Sequence, residues 1–185
     1  MEGEAFVHVA WIVLLAAVGT LLALVVLLGV AGLFLPREHR AARSLLLRAT
    51  PPAKVWEAIT DHARDPEWRR DVKAVARLAD HQGRPVWQET ARNGQAMSFE
   101  TLESVPEQRL VRRILEAGGP FGGTWTYQLK PEGAGTRITV AEDGWIANPV
   151  FRGMARYLFG HHRGLERTLQ DLARRFGEPG WPEPA

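Results

Sequence analysis

From Ala5 to Leu35 the chain runs for 31 residues without an Asp, Glu, Lys or Arg, and 26 of these residues are hydrophobic. A bilayer core of ~30 Å is crossed by about 20 helical residues. A helix of this length would rise ~46 Å, enough to cross once with tilt and too little to cross twice. The 150 residues from Pro36 onward hold 57 hydrophobic residues, about 38%, which explains a mean hydropathy of only −0.18 for the whole chain. A wholly soluble protein, a polytopic transporter and an intrinsically disordered chain are excluded.

The start of the chain carries Glu2 and Glu4 and no basic residue, and the apolar run is about twice the length of a secretory signal core. A retained anchor over residues 1–35 is expected. Arg37, Arg40, Arg43 and Arg48 follow it, so the positive-inside rule places the N-terminus outside and the soluble domain in the cytoplasm. Gly19, Thr20 and Ala23 could form a small-residue contact face, but simple lipid-soluble filler is the preferred reading, because small residues are common in such helices. Residues 36–43 read as a basic linker. The chain has no cysteine, which removes disulfides, thiolate metal sites and cysteine nucleophiles. The net charge of +2 is interspersed, so nucleic acid is not an expected partner.

The soluble part has a clear order. Ser44 to Ala49 reads as a strand. Thr50-Pro51 marks a helix start with Val55, Trp56 and Ile59 as its buried stripe, and Asp61 to Trp68 reads as a second short helix or turn. Alternating stretches follow over 72–78, 86–92, 96–105, 109–116, 124–130 and 137–144. They are punctuated by His81 to Pro85, by Asn93-Gly94, by Pro106-Glu107, by the glycine loop 118–123 and by Gly133-Ala134-Gly135. Regular hairpins of this kind make an antiparallel meander. Asn148-Pro149 then opens a helix whose apolar positions (Phe151, Met154, Leu158, His162, Leu165, Leu169, Leu172, Phe176) keep 3- and 4-residue steps. Residues 178–185 read as a flexible, proline-rich tail.

Three stretches of this order resemble the START-like SRPBCC superfamily, particularly its polyketide cyclase/dehydrase and lipid transport branch. They are Leu46 to Asp61 with Pro66-Glu67-Trp68, Gly135 to Gly144, and Asn148 to Arg152 with Phe159-Gly160-His161. The resemblance covers about Ser44 to Phe176. It implies an α+β helix-grip fold over 44–177: an antiparallel curved sheet wrapped on a long C-terminal helix, with an apolar cavity between them. It implies little about activity, since such folds host carriers and enzymes alike.

On that fold the candidate ligand-binding wall is Trp87, Met97, Phe99, Trp125, Tyr127, Val140, Phe151, Met154 and Leu158. Strict alternation puts Glu142 on the face of Ile138 and Val140, toward the cavity, with Arg112 or Arg113 as possible partners. If alternation fails near Gly144, Glu142 is exposed or only ion-paired, and a shift of one residue would substitute Asp143. Gly153, Gly160 and Gly164 inside the last helix each cost up to ~1 kcal/mol against Ala, which points to a bend, room for a ligand, or close packing. His161 and His162 diverge by about 100° on a helix and read as core-edge residues. No metal site, no cofactor and no catalytic residue is assigned. The glycine loop lacks the Lys and Ser/Thr of a phosphate cradle.

The function expected from these features is a membrane-anchored binder of a hydrophobic small molecule or lipid. Two alternatives stand beside it. One is a polyketide cyclase/aromatase-like enzyme using Glu142. The other is a ligand-free regulatory interaction module at the membrane, for which no protein partner is indicated.

Overall fold

The computed structural model of the chain describes residues 2–115 and 119–185. Met1 of the expected anchor, Glu116 of the expected fourth hairpin strand and Gly118 of the glycine loop lie outside the described residues. The chain divides into two compact units, one of Met1–Arg37 with Ile146–Gly160, the other of Glu38–Trp145 with His161–Ala185.

The first unit is built on α1 (Glu2–Leu33). Val7–Leu33 is one helix long and apolar enough to cross a membrane. Most of its large apolar side chains from Trp11 to Leu33 are exposed, Leu28 being the buried exception; a water-soluble helix would instead show a polar face. α4 (Pro149–Met154) packs against its C-terminal end. Asn148 caps α4, its Oδ1 accepting from the Val150 and Phe151 amides at 2.8 and 3.3 Å, as the Asn-Pro pair predicts. A π-helical turn (Ala155–Phe159) follows and stops at Gly160, whose φ of 73° only glycine adopts without strain.

The second unit holds β1 (Glu38–Leu47), α2 (Pro52–Thr60), a 3₁₀ turn (His62–Arg64), α3 (Asp65–Trp68), β2 (Val72–His81), β3 (Arg84–Ala91), β4 (Ala96–Val105), β5 (Arg109–Ile114), β6 (Phe121–Glu132), β7 (Gly135–Ile146, its last residue in the first unit), α5 (Arg163–Arg175) and β8 (Glu183–Pro184). The strands form one sheet in the order β2-β3-β4-β5-β6-β7-β1-β8. The meander from β2 to β7 is the expected one. Its turns follow local chemistry: Gln82-Gly83 both have positive φ, Gly94 closes a three-residue hairpin loop, and Pro106 leads a turn in which Glu107 sits at φ 60°. The apolar stripe of α5 (Leu165, Leu169, Leu172) packs into a core with Leu45, Leu47, Leu110, Tyr127, Ile138 and Val140. Arg43 of β1 ties to Glu166 of α5 at 2.8 Å, and Arg70 to the wholly buried Asp171 at 2.7 Å. This is the α+β helix-grip architecture.

Four local expectations differ. The helix expected over 149–176 is three pieces, because the wide turn and Gly160 end the first part before α5 begins. The basic linker 36–43 is mostly strand: Glu38 to Arg43 pair with Trp145 to Val140 of β7. Backbone pairing to a long neighbouring strand extends β1 where side-chain pattern alone stops it. The tail 178–185 is tied down. The Glu178 carboxylate accepts from the Arg48 amide at 2.5 Å and from the Ala49 amide and Thr50 hydroxyl, and β8 pairs with β1. Thr50 is therefore not the cap of α2, whose N-cap is Pro51.

Candidate functional site

Between the inner face of the sheet and α5 lies a cavity of about 270 Å³, lined wholly by the second unit. Val72, Ala91, Met97, Phe99, Ile114, Phe121, Trp125 and Tyr127 supply its apolar wall, and Gly164 and Thr168 its helix side. Period-2 geometry places them there. In the ladder, Glu89 lies opposite Met97, Phe99 opposite Ile114, and Arg112 opposite Trp125. Gly164 is the close-approach point: a Cβ there would sit 3.4 Å from the Trp125 ring.

Asp71 and Gln95 also line the cavity, and two charged groups interrupt its apolar wall. The first is an ion network. Glu89 receives Arg69 Nη1 on one oxygen and Arg112 Nη1 on the other, both at 2.7 Å. Arg69 also reaches Asp65 at 3.4 Å. Burial would raise the Glu89 carboxyl, but the two guanidiniums override it and hold it at about 2. Burial keeps His62, 3.7 Å from Asp65, below its ordinary value despite that carboxylate. Burial pushes Tyr127 up to about 12. Removing one partner of such a buried pair typically costs 3–5 kcal/mol, whereas an apolar replacement of the whole often costs nothing. The network is therefore better explained by a site than by stability. Arg112 is 4% exposed, and its Nε and Nη2 have no hydrogen-bond partner. Its guanidinium carbon stands 4.6 Å over the Phe99 ring, a cation–π contact that offsets part of the desolvation.

The second polar group is Glu142. Burial raises its carboxyl to about 7, against a hydrogen bond from the Trp125 side chain. His39 Nε2 lies 3.7 Å from it. Burial and the neighbouring His161 lower the His39 value, and the two imidazoles stack at 4.1 Å. Near neutral pH this places a half-protonated acid beside a neutral imidazole, an arrangement able to give or take a proton.

Of the sequence candidates, Met97, Phe99, Trp125, Tyr127 and Glu142 come together on the cavity wall. Alternation holds through Glu142, and Asp143 instead meets Arg40 at 3.1 Å. Val140 is fully buried in the core cluster rather than on the wall. Trp87 sits edge-on to His62 at 5.5 Å. Phe151, Met154 and Leu158 belong to the other unit, and Phe151 and Leu158 are about half exposed; the helix break carries them out of the α5 stripe. Neither arginine pairs with Glu142. Arg112 meets Glu89, and Arg113, on the opposite face, meets the fully buried Glu100 at 2.5 Å. His162 meets Glu166 at 3.8 Å. Among the described residues no His, Asp and Glu cluster could hold a metal ion. The residues that sequence reasoning missed are Arg69, Glu89 and His39; Arg112 was named, but as a partner of Glu142 and not of Glu89. Glu89 was readable, since it shares the face of Trp87 two residues earlier in β3.

An inner-face cavity on a helix-grip sheet defines the class of fold, and comparison with known proteins identifies the family. Residues 47–177 match the profile of the polyketide cyclase / dehydrase and lipid transport family, and the chain belongs to it. Solved structures of similar fold include the Zhui aromatase/cyclase of a Streptomyces species (14% identity, TM-score 0.58, covering 75% of this chain and 93% of that one). A START superfamily protein of Mycobacterium smegmatis is similar too (19%, 0.56, 74% and 96%), as is a protein of Thermus thermophilus (25%, 0.57, 75% and 95%). No curated protein sequence matches the chain.

Proposed function

We propose that the chain is a membrane-anchored binder of a hydrophobic small molecule or lipid, held in the cavity under α5. The observation that carries this reading is an apolar-walled cavity lined in part by buried Arg112, whose Nε and Nη2 are unpaired. An apolar body would fill the wall, and an acceptor oxygen on the ligand would take the free donors, each left unsatisfied at a cost of about 1–3 kcal/mol. The volume, near the lower end for ligand pockets, suits a small molecule or a single lipid chain. The α1 span supports tethering, which raises the effective concentration of membrane-dissolved ligands at the cavity. The arginines after the span support a cytoplasmic position for the second unit. Full-length protein extracted in mild detergent should carry a co-purified apolar species in native mass spectrometry, or take one up from a panel of lipids and aromatic polyketide-like compounds. A folded protein that takes up nothing would refute the reading.

The pairing of Glu142 with His39 favours a second reading, acid/base chemistry of the cyclase type on a carbonyl-bearing chain. It requires that Glu142→Gln abolish turnover of such a chain while leaving its binding intact.

A further inference from the structure

The first unit contains a surface that neither the cavity nor the span explains. α4 packs on the last turns of α1 through glycines. A Cβ on Gly32 would strike the Pro149 carbonyl at 1.8 Å, and one on Gly153 would meet the Leu28 carbonyl at 2.4 Å. Backbone thus lies on backbone. This is how helices associate in lipid, where burying apolar side chains gains little. The one buried charge is consumed in the joint. Arg152, 7% exposed, donates from Nε to the Gly32 carbonyl at 2.9 Å and from Nη1 to the Ile146 and Ala147 carbonyls at 3.0 and 2.8 Å. It so adds a second donor to the Gly32 carbonyl, which also accepts from the Leu35 amide at 3.3 Å, and complements that end of the helix dipole. Outward stand Phe151, Tyr157 and Leu158, 46%, 60% and 47% exposed, with the exposed Arg156 among them, a cation whose stem can lie along apolar surface while its head reaches phospholipid headgroups. No acidic residue occurs from Pro149 to Gly160.

The contact fixes the depth. Leu28, Gly29 and Gly32 are in the last two turns of the Val7–Leu33 span, within about 8 Å of its end by helical rise. An element packed there stands where hydrocarbon gives way to headgroups, the level at which aromatic side chains concentrate. We infer that residues 149–159 are a second membrane contact, a short element that lies in the headgroup–hydrocarbon boundary beside the anchor with Phe151, Tyr157 and Leu158 in lipid. The occupant is a phospholipid surface because the element carrying the patch packs on the last turns of α1, a helix whose own apolar side chains are mostly exposed. The inference rests on α1 spanning the bilayer.

The cysteine-free chain permits a direct test. Full-length L158C, with L15C within the span and K130C on an exposed strand position as references, is labelled with an environment-sensitive fluorophore. Each is reconstituted in phosphatidylcholine vesicles with and without spin-labelled acyl chains. Expected is quenching at 158 within about twofold of that at 15 and at least about fivefold above that at 130, as burial ~5–10 Å into the boundary requires. Quenching at 15 with none at 158 overturns the second contact and leaves the anchor standing. No quenching at either site overturns both. A label at 158 shielded from lipid and from aqueous iodide alike overturns it in favour of a protein cover, and disulfide cross-linking at 158 would identify that cover as a second copy.

Discussion

Replacing Glu142 by Gln keeps the shape of the side chain and removes its titration. In the folded protein burial raises this carboxyl from its ordinary 4.5 to about 7. The native state therefore binds a proton more tightly than the unfolded chain does. Stability from this group is fully present below about pH 4.5 and is lost as pH rises through about 7. The gap corresponds to about 3 kcal/mol, an upper bound because the side chain keeps 21% of its exposure. His39 and His62 carry lowered values. The native state binds their protons less well, so they destabilise in acid and act in the opposite direction. For that reason the difference between wild type and Glu142→Gln is the informative quantity. Denaturant unfolding of the full-length protein in detergent, repeated from pH 5 to pH 8, should show the wild type losing up to about 3 kcal/mol relative to the variant. Parallel curves across that range would mean an ordinary, solvated carboxylate, and would refute both its burial and its role as a proton carrier.

Arg112→Met keeps the volume but removes the free donors, and should lower ligand retention about 10- to 100-fold in native mass spectrometry, since a hydrogen bond to a charged group contributes about 1.5–3 kcal/mol. Arg113→Met, on the opposite face, should not. Leu169→Ala, in a side chain with no exposure, should cost about 2–5 kcal/mol in denaturant unfolding. Glu107→Gly relieves a φ of 60° and should stabilise by about 0.5–1 kcal/mol in the same assay. Glu178→Ala strips acceptors from the Arg48 and Ala49 amides and the Thr50 hydroxyl. It should cost about 1–3 kcal/mol and increase proteolysis after residue 177.

The apolar run, the hairpin punctuation and the α5 stripe were legible because each is a local pattern with its own period: no charge over a bilayer's length, alternation by two, steps of three and four. The same alternation carries Glu142 to the cavity wall. The three helix glycines were visible as anomalies, and each has a separate cause that only packing supplies. Gly153 lies on the Leu28 backbone, Gly160 takes a left-handed φ, and Gly164 clears Trp125.

The sequence by itself therefore determined a single apolar helix long enough to cross a membrane and an antiparallel sheet with a helix to cover it, because these depend on neighbours along the chain. Tertiary structure decided which charges meet. Glu89 and Arg112 are 23 residues apart, and nothing local distinguishes Arg112, paired inside the cavity, from Arg113, paired on the other face. It also decided that the first part of the expected long helix belongs with α1. That follows from glycine contacts and the Arg152–Gly32 bond across 120 residues, which no periodicity records.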